Sequence, residues 1–177
     1  MRLSRTLLAG AAAIALTTTG AQAADLLVNG YSPGYTTNNL FNFEGFYLGA
    51  TGGVGAFPVT GSAWTVGLVA GANFALNDVI LTGVEFQGES LWNAGGYAGM
   101  NALFLAKVGG FITDETIVYA TGGGGWVDGA TSYALGAGIE MAVAEQVSIR
   151  GEVMGTGAWG GWFNGAKATV GVLWHLN

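Results

Sequence analysis

The chain has 177 residues, 33 of them Gly and none Cys, with 9% charged side chains and a formal net charge of −6, whereas ordinary soluble domains carry about 25% charged residues. That length allows a single domain, the missing cysteines exclude a disulfide scaffold, and the acidic balance argues against a nucleic-acid partner. No run of about 20 helix-forming apolar residues follows the first segment, so a helical membrane protein is not indicated.

Residues 1–23 read as a secretory signal peptide. Arg2 and Arg5 form a basic start, Leu7 to Leu16 an apolar core, and Ala21-Gln22-Ala23 a cleavage site of small residues. Without Arg2 and Arg5, 3 basic residues face 11 acidic ones, a net of −8. Residues 24–44 carry the turn pairs Asn29-Gly30 and Pro33-Gly34 with no sustained period. They read as an irregular leader outside the membrane, a spacer rather than a lumen plug.

From residue 45 to residue 177 the pattern is that of strands. Residues 45–77 contain no Asp, Glu, Lys or Arg, and their glycines, Pro58, Thr51, Thr60 and Thr65 favour two strands and a turn over a membrane helix. The first strand spans about Phe46 to Gly55. The second, about Trp64 to Phe74, alternates Trp64, Val66 and Leu68 with Thr65, Gly67 and Gly71. The third, about Val79 to Glu89, sets Val84 and Phe86 against Glu85 and Gln87. The fourth, about Tyr97 to Gly109, sets Phe104 and Val108 against Asn101 and Lys107. The fifth, about Thr116 to Gly125, is obscured by Gly122 to Gly125.

Strands six and seven form the clearest hairpin. Glu140 shares its side with Gly136 and Gly138, while Leu135, Ala137, Ile139 and Met141 fill the other. After a turn at Ala144-Glu145-Gln146, Ser148, Arg150 and Glu152 resume the polar side. A three-residue turn sets Val143 against Val147 and Glu140 against Arg150. The eighth strand, Ala166 to Leu176, alternates Val170, Val172 and Trp174 with Lys167, Thr169 and His175.

Segments of about 10 residues are long enough to cross a bilayer when tilted, and together they predict an all-β, eight-stranded antiparallel transmembrane barrel. Charge placement supports it. Glu85, Glu89, Lys107, Glu140, Arg150, Glu152 and Lys167 all occupy the polar register of their strands. Trp64, Trp92, Trp126, Trp159 and Trp162 sit at connections of one end and Trp174 near the other, as an interfacial aromatic girdle requires. The opposite connections carry Asp78, Asp114, Glu115 and Glu145, an acidic periplasmic rim.

Phe41-Asn-Phe-Glu-Gly-Phe-Tyr-Leu-Gly-Ala50 resembles the first-strand signature of the small Gram-negative outer-membrane β-barrels called porin-like or opacity-like. Val118-Tyr-Ala-Thr-Gly-Gly123, Leu135-Gly-Ala-Gly-Ile-Glu140 and Ser148-Ile-Arg-Gly-Glu152 resemble that family's fifth, sixth and seventh strands. The resemblance implies a monomer in the cell outer membrane, in contact with lipid and lipopolysaccharide, with no catalytic residues to carry over. Thr169 to Leu176, with Gly171, Trp174 and Leu176, resembles the signal read by the barrel-assembly machinery, which closes on an aromatic residue where this chain has Asn177. The outer connections are short for a surface-binding member of the family.

Chemistry beyond this is sparse. His175 is the only histidine, so no transition-metal ligand set and no cofactor are expected, and it reads as a polar lumen filler. No hydrolase elbow or phosphate-binding loop is present. A lipid-modifying enzyme lacks a Ser or carboxylate partner for His175 on its own strand. Glu85, Lys107, Glu140, Arg150 and Glu152 point inward, either as a salt-bridged filling or as a conducting constriction, and the narrow interior of eight strands favours the filling. Three functions remain open: a non-enzymatic envelope barrel, a narrow porin-like channel, or a module binding a host factor, haem or lipid A through Trp159 to Phe163.

Overall fold

The computed structural model describes residues 41–176; the expected signal peptide, its cleavage site and residues 24–40 of the leader lie outside them. Eight strands succeed one another in chain order: β1 (Gly45–Phe57), β2 (Gly61–Ala75), β3 (Ile80–Asn93), β4 (Gly96–Thr113), β5 (Thr116–Val127), β6 (Ala130–Ala144), β7 (Val147–Ala158) and β8 (Gly165–Leu176). Each pairs antiparallel with the next, and β8 returns to β1, so the sheet closes into a barrel without an edge. Closure satisfies the backbone groups of every strand, the condition for crossing lipid with strands.

The alternation of side chains is inside-out relative to a soluble protein. Val66, Leu68, Val84, Phe104, Val153 and Val170 are each more than half exposed on the outer wall. Glu85, Glu89, Lys107, Glu140, Arg150, Glu152 and Lys167 are at most 5% exposed in the lumen. An apolar outer wall around a charged interior is the polarity of a transmembrane barrel.

Strands run a few residues past their expected limits, most at β4, which ends at Thr113 rather than near Gly109. Connections are accordingly brief. At one end lie residues 58–60, 94–95, 128–129 and 159–164; at the other, where β1 starts and β8 stops, lie 76–79, 114–115 and 145–146. These are called the loop end and the termini end.

The β6–β7 turn differs from expectation. Glu145-Gln146 make a two-residue connection, Ala144 rather than Val143 faces Val147, and the register shifts between Ala142 and Ala144. The bulge absorbs the extra residue. Glu140 therefore still lies opposite Arg150.

The lumen is layered. Near the loop end Phe57, Ala63, Leu91, Leu103, Val127 and Met154 pack together. Near the termini end Phe41 and Phe43 join Leu81, Ile117 and Tyr119. The leader's last residues thus fill the mouth instead of serving as a spacer. Their rings find an apolar site there, with Phe41 edge-on to His175 at 4.8 Å and Phe43 edge-on to Phe111 at 5.9 Å. The Asn73 amide also donates to the Phe43 carbonyl at 2.9 Å.

Glycine explains how eight strands hold these side chains. Tyr47 faces Gly71 across β1–β2, and Tyr119 faces Gly138 across β5–β6. A β-carbon at either glycine would collide with the phenol opposite it. The glycine-rich inner register is therefore the complement of two inward tyrosines.

Candidate functional site in the barrel lumen

Between the two apolar layers lies a polar network. Its centre is Glu85 on β3. One carboxylate oxygen accepts from Arg150 Nη1 at 2.5 Å and from the Tyr47 hydroxyl at 2.5 Å, and the other accepts from Gln87 Nε2 at 2.7 Å. Gln87 Nε2 also donates to Glu152 at 2.9 Å, whose second oxygen accepts from the Tyr119 hydroxyl at 3.1 Å. Strands β1, β3, β5 and β7 are thus tied together across the interior.

Lys107 sits between two rings, its ammonium 4.7 Å from the centroid of Tyr47 and 5.0 Å from that of Tyr119. A cation over two aromatic faces is held by their quadrupoles where water is absent. It also donates to the Tyr47 hydroxyl at 3.3 Å and lies 3.8 Å from Glu140.

The network extends both ways along the barrel axis. Towards the loop end Lys167 bridges Gln87 at 2.8 Å and Glu89 at 2.7 Å, and Asn101 donates to Glu89 at 3.2 Å. Towards the termini end the Ser148 hydroxyl donates to Glu140 at 2.7 Å, and His175 Nε2 lies 3.0 Å from the same oxygen. Each charge thus meets a countercharge or several donors, as burial demands.

All five residues expected to form the lumen network are brought together, with a change of partners. Glu140 and Arg150 are neighbours in register, yet Arg150 reaches across the lumen to Glu85 while Glu140 turns to Lys107, Ser148 and His175. A planar guanidinium on a long side chain spans the narrow interior. Sequence reasoning misses Tyr47, Gln87, Asn101, Tyr119 and Ser148 as network members. Their signal is present, since each shares the inward register of a charged residue on its own or a facing strand.

His175 has no Ser or carboxylate partner on its own strand, but it acquires both from the neighbouring β7 and β6, because β6, β7 and β8 follow one another around the barrel. The geometry is not that of a nucleophilic triad. Ser148 at 3.2 Å and Glu140 at 3.0 Å converge on the same ring nitrogen, Nε2, whereas a triad divides base and orienting carboxylate between the two nitrogens. All three side chains are fully buried under Phe41. Among the described residues there is no group of three or more acidic or His side chains arranged to hold a metal.

The expected girdle residues lie at the barrel ends. Trp64 and Trp92 stack at 5.4 Å, and Trp92 meets Tyr97 edge-on at 5.7 Å, all at the loop end. Trp126, Trp159 and Trp162 are exposed at the same end, and Trp174 is exposed near the termini end. Gly171 and Leu176 belong to β8, where Gly171 faces Arg150 of β7 and Leu176 faces Phe46 of β1. Asp78, Asp114, Glu115 and Glu145 are exposed at the termini end.

Neither a protein-family model nor a curated protein sequence matches the chain. Among solved structures it is similar to a de novo designed transmembrane β-barrel, with 18% identity, a TM-score of 0.46, and coverage of 76% of this chain and 98% of the other. It is similar to the outer membrane protein Ail of Yersinia pestis, at 13% identity, TM-score 0.44, and 72% and 97% coverage. Neisserial surface protein A gives 16% identity, TM-score 0.41, and 74% and 97% coverage. By its closed sheet, apolar wall and charged interior, the chain is an eight-stranded antiparallel β-barrel of outer-membrane type.

Proposed function

We propose that the protein is a non-enzymatic structural barrel of a Gram-negative outer membrane, contributing to envelope integrity as a closed cylinder that does not conduct. The observation that carries this reading is the filled lumen. A salt-bridged network crosses the interior, with an apolar layer on either side of it. An ion would have to displace Arg150 from Glu85 and Lys167 from Glu89, leaving buried charges without partners.

On this reading the termini end faces the periplasm, the Trp residues lie in the two interfaces, and lipid and lipopolysaccharide surround a monomer inserted by the barrel-assembly machinery. A porin-like channel is the weaker reading because both mouths are closed by apolar side chains. Surface binding of a host factor, haem or lipid A through Trp159 to Phe163 is weaker still, because the 159–164 connection that carries them is short and the other connections of that end, 58–60, 94–95 and 128–129, are shorter, which leaves little surface outside the membrane.

Outer-membrane fractionation, heat-modifiable gel migration and planar-bilayer recording test the proposal together. The expected result is a heat-modifiable outer-membrane protein that gives no conductance steps. Reproducible steps in the parent protein, altered in size or frequency by Arg150→Ala, would establish the channel instead.

A further inference from the structure

We propose that the loop-end mouth is closed by a latched cover, residues 58–60 held by Asp128, and that the latch is set by the lumen charge network beneath it. The β1–β2 and β5–β6 connections lie on opposite sides of the closed strand order, so contacts between them span the mouth. Asp128, in the β5–β6 connection, makes those contacts. One carboxylate oxygen accepts from the Val59 N–H at 2.7 Å and the Thr60 N–H at 2.8 Å, and the other from the Thr60 hydroxyl at 2.5 Å.

The cover has little else to hold it. Pro58 and Val59 are exposed, Val59 to 82%, and Thr60 is half-buried where it meets Asp128, so beyond Phe57 at its base the segment is fastened mainly by that carboxylate. The latch residue, in contrast, is 7% exposed and has a left-handed backbone, φ 50°, uncommon for a residue other than glycine. Asp is among the side chains that tolerate this conformation, and here it aims the carboxylate inward over the mouth.

Asp128 is also joined to the lumen. Its own N–H donates to Asn101 Oδ1 at 3.0 Å, Asn101 Nδ2 donates to Glu89 at 3.2 Å, and Glu89 accepts from Lys167 at 2.7 Å. A continuous series of bonds therefore runs from Lys167 to the cover. Loss of the Lys167 cation leaves Glu89 to draw Asn101 towards itself, and the Asp128 turn loses its internal support. Lifting the cover opens the layer of Phe57, Ala63, Leu91 and Leu103 to water, while Phe41 and Phe43 keep the termini end shut.

The chain contains no cysteine, so one introduced thiol reports alone. The full chain carrying Ala63→Cys, extracted from membranes and reconstituted in phospholipid vesicles, is treated with a membrane-impermeant maleimide. Labelling is expected to be slow with Asp128 intact and at least about tenfold faster in Asp128→Ala, as local opening without global unfolding requires. Asp128→Asn, which keeps one carbonyl acceptor, should fall between. Lys167→Met should accelerate labelling although it touches no residue of the cover. A thiol at Ala142, in the termini-end layer, should label at one rate in all backgrounds, and every variant should retain heat-modifiable migration. Equal Ala63→Cys labelling with and without Asp128 overturns the latch. A null effect of Lys167→Met overturns its coupling to the lumen. Parallel acceleration at Ala142→Cys shows general loosening and overturns both.

Discussion

Replacing Arg150 by Met removes the guanidinium from Glu85 while filling much of the same volume. Glu85 keeps the Tyr47 hydroxyl at 2.5 Å and the Gln87 amide at 2.7 Å, so its carboxylate is not left bare. Breaking one side of a buried pair costs about 3–5 kcal/mol, and the two remaining donors place this case near the lower figure, about 3 kcal/mol. With a urea dependence of about 2 kcal/mol/M, the unfolding midpoint falls by roughly 1.5 M. Urea titration of the vesicle-embedded protein, read by the folded band on unheated gels and by Trp fluorescence, measures it. The double variant Glu85→Gln/Arg150→Met removes both charges and should recover to within about 1 kcal/mol of the parent. A midpoint unchanged in Arg150→Met, or a double variant no more stable than the single one, would refute the claim that this ion pair braces the lumen.

Glycine substitutions separate the two faces of the wall. A β-carbon at Gly123 overlaps the Phe104 carbonyl oxygen and lies 2.9 Å from Leu105 Cα, whereas one at Gly52 meets only the Thr65 carbonyl oxygen at 3.8 Å. Gly123→Ala should therefore lose the heat-modifiable folded band, and Gly52→Ala should stay within about 0.5 kcal/mol of the parent. At the termini-end mouth, Phe43→Ala should lower unfolding stability by about 3 kcal/mol, the low end for deleting a buried ring. Urea titration would count against the plug if that change were neutral. Planar bilayers should stay silent even for Phe43→Ala, because the central network and the loop-end layer remain; conductance steps in that variant would show that the aromatic plug is the main barrier.

Periodicity made the wall legible. Alternation in β2, β3, β4 and β8 separates lipid-facing from inward residues, and the seven strand charges all keep to one register, a rule that the low overall charge and the placement of the tryptophans turn towards a membrane barrel. Even the Gly122 to Gly125 stretch, silent about its facing, falls into register once β4 and β6 flank it. Partner choice was less legible. Adjacent positions in a hairpin predict Cβ proximity, but Arg150 and Lys107 are long enough to select partners across the barrel, and that choice depends on which strands face each other after closure. Asp128 had no signal at all: a single carboxylate in a short turn becomes a latch only because the β1–β2 connection is brought over it.

By itself, the sequence determined the number and approximate span of the strands, the face taken by residues outside the Gly122 to Gly125 stretch, and the inward placement of every strand charge, because these derive from a two-residue period set by local backbone geometry. Closure decided the rest. It set Arg150 on Glu85 and Lys107 between Tyr47 and Tyr119, placed Phe41 and Phe43 in one mouth, and laid residues 58–60 across the other. Apart from Lys107 over Tyr119, which lie on the neighbouring strands β4 and β5, those contacts join segments far apart in the chain, and only a sheet closed on itself brings them within reach.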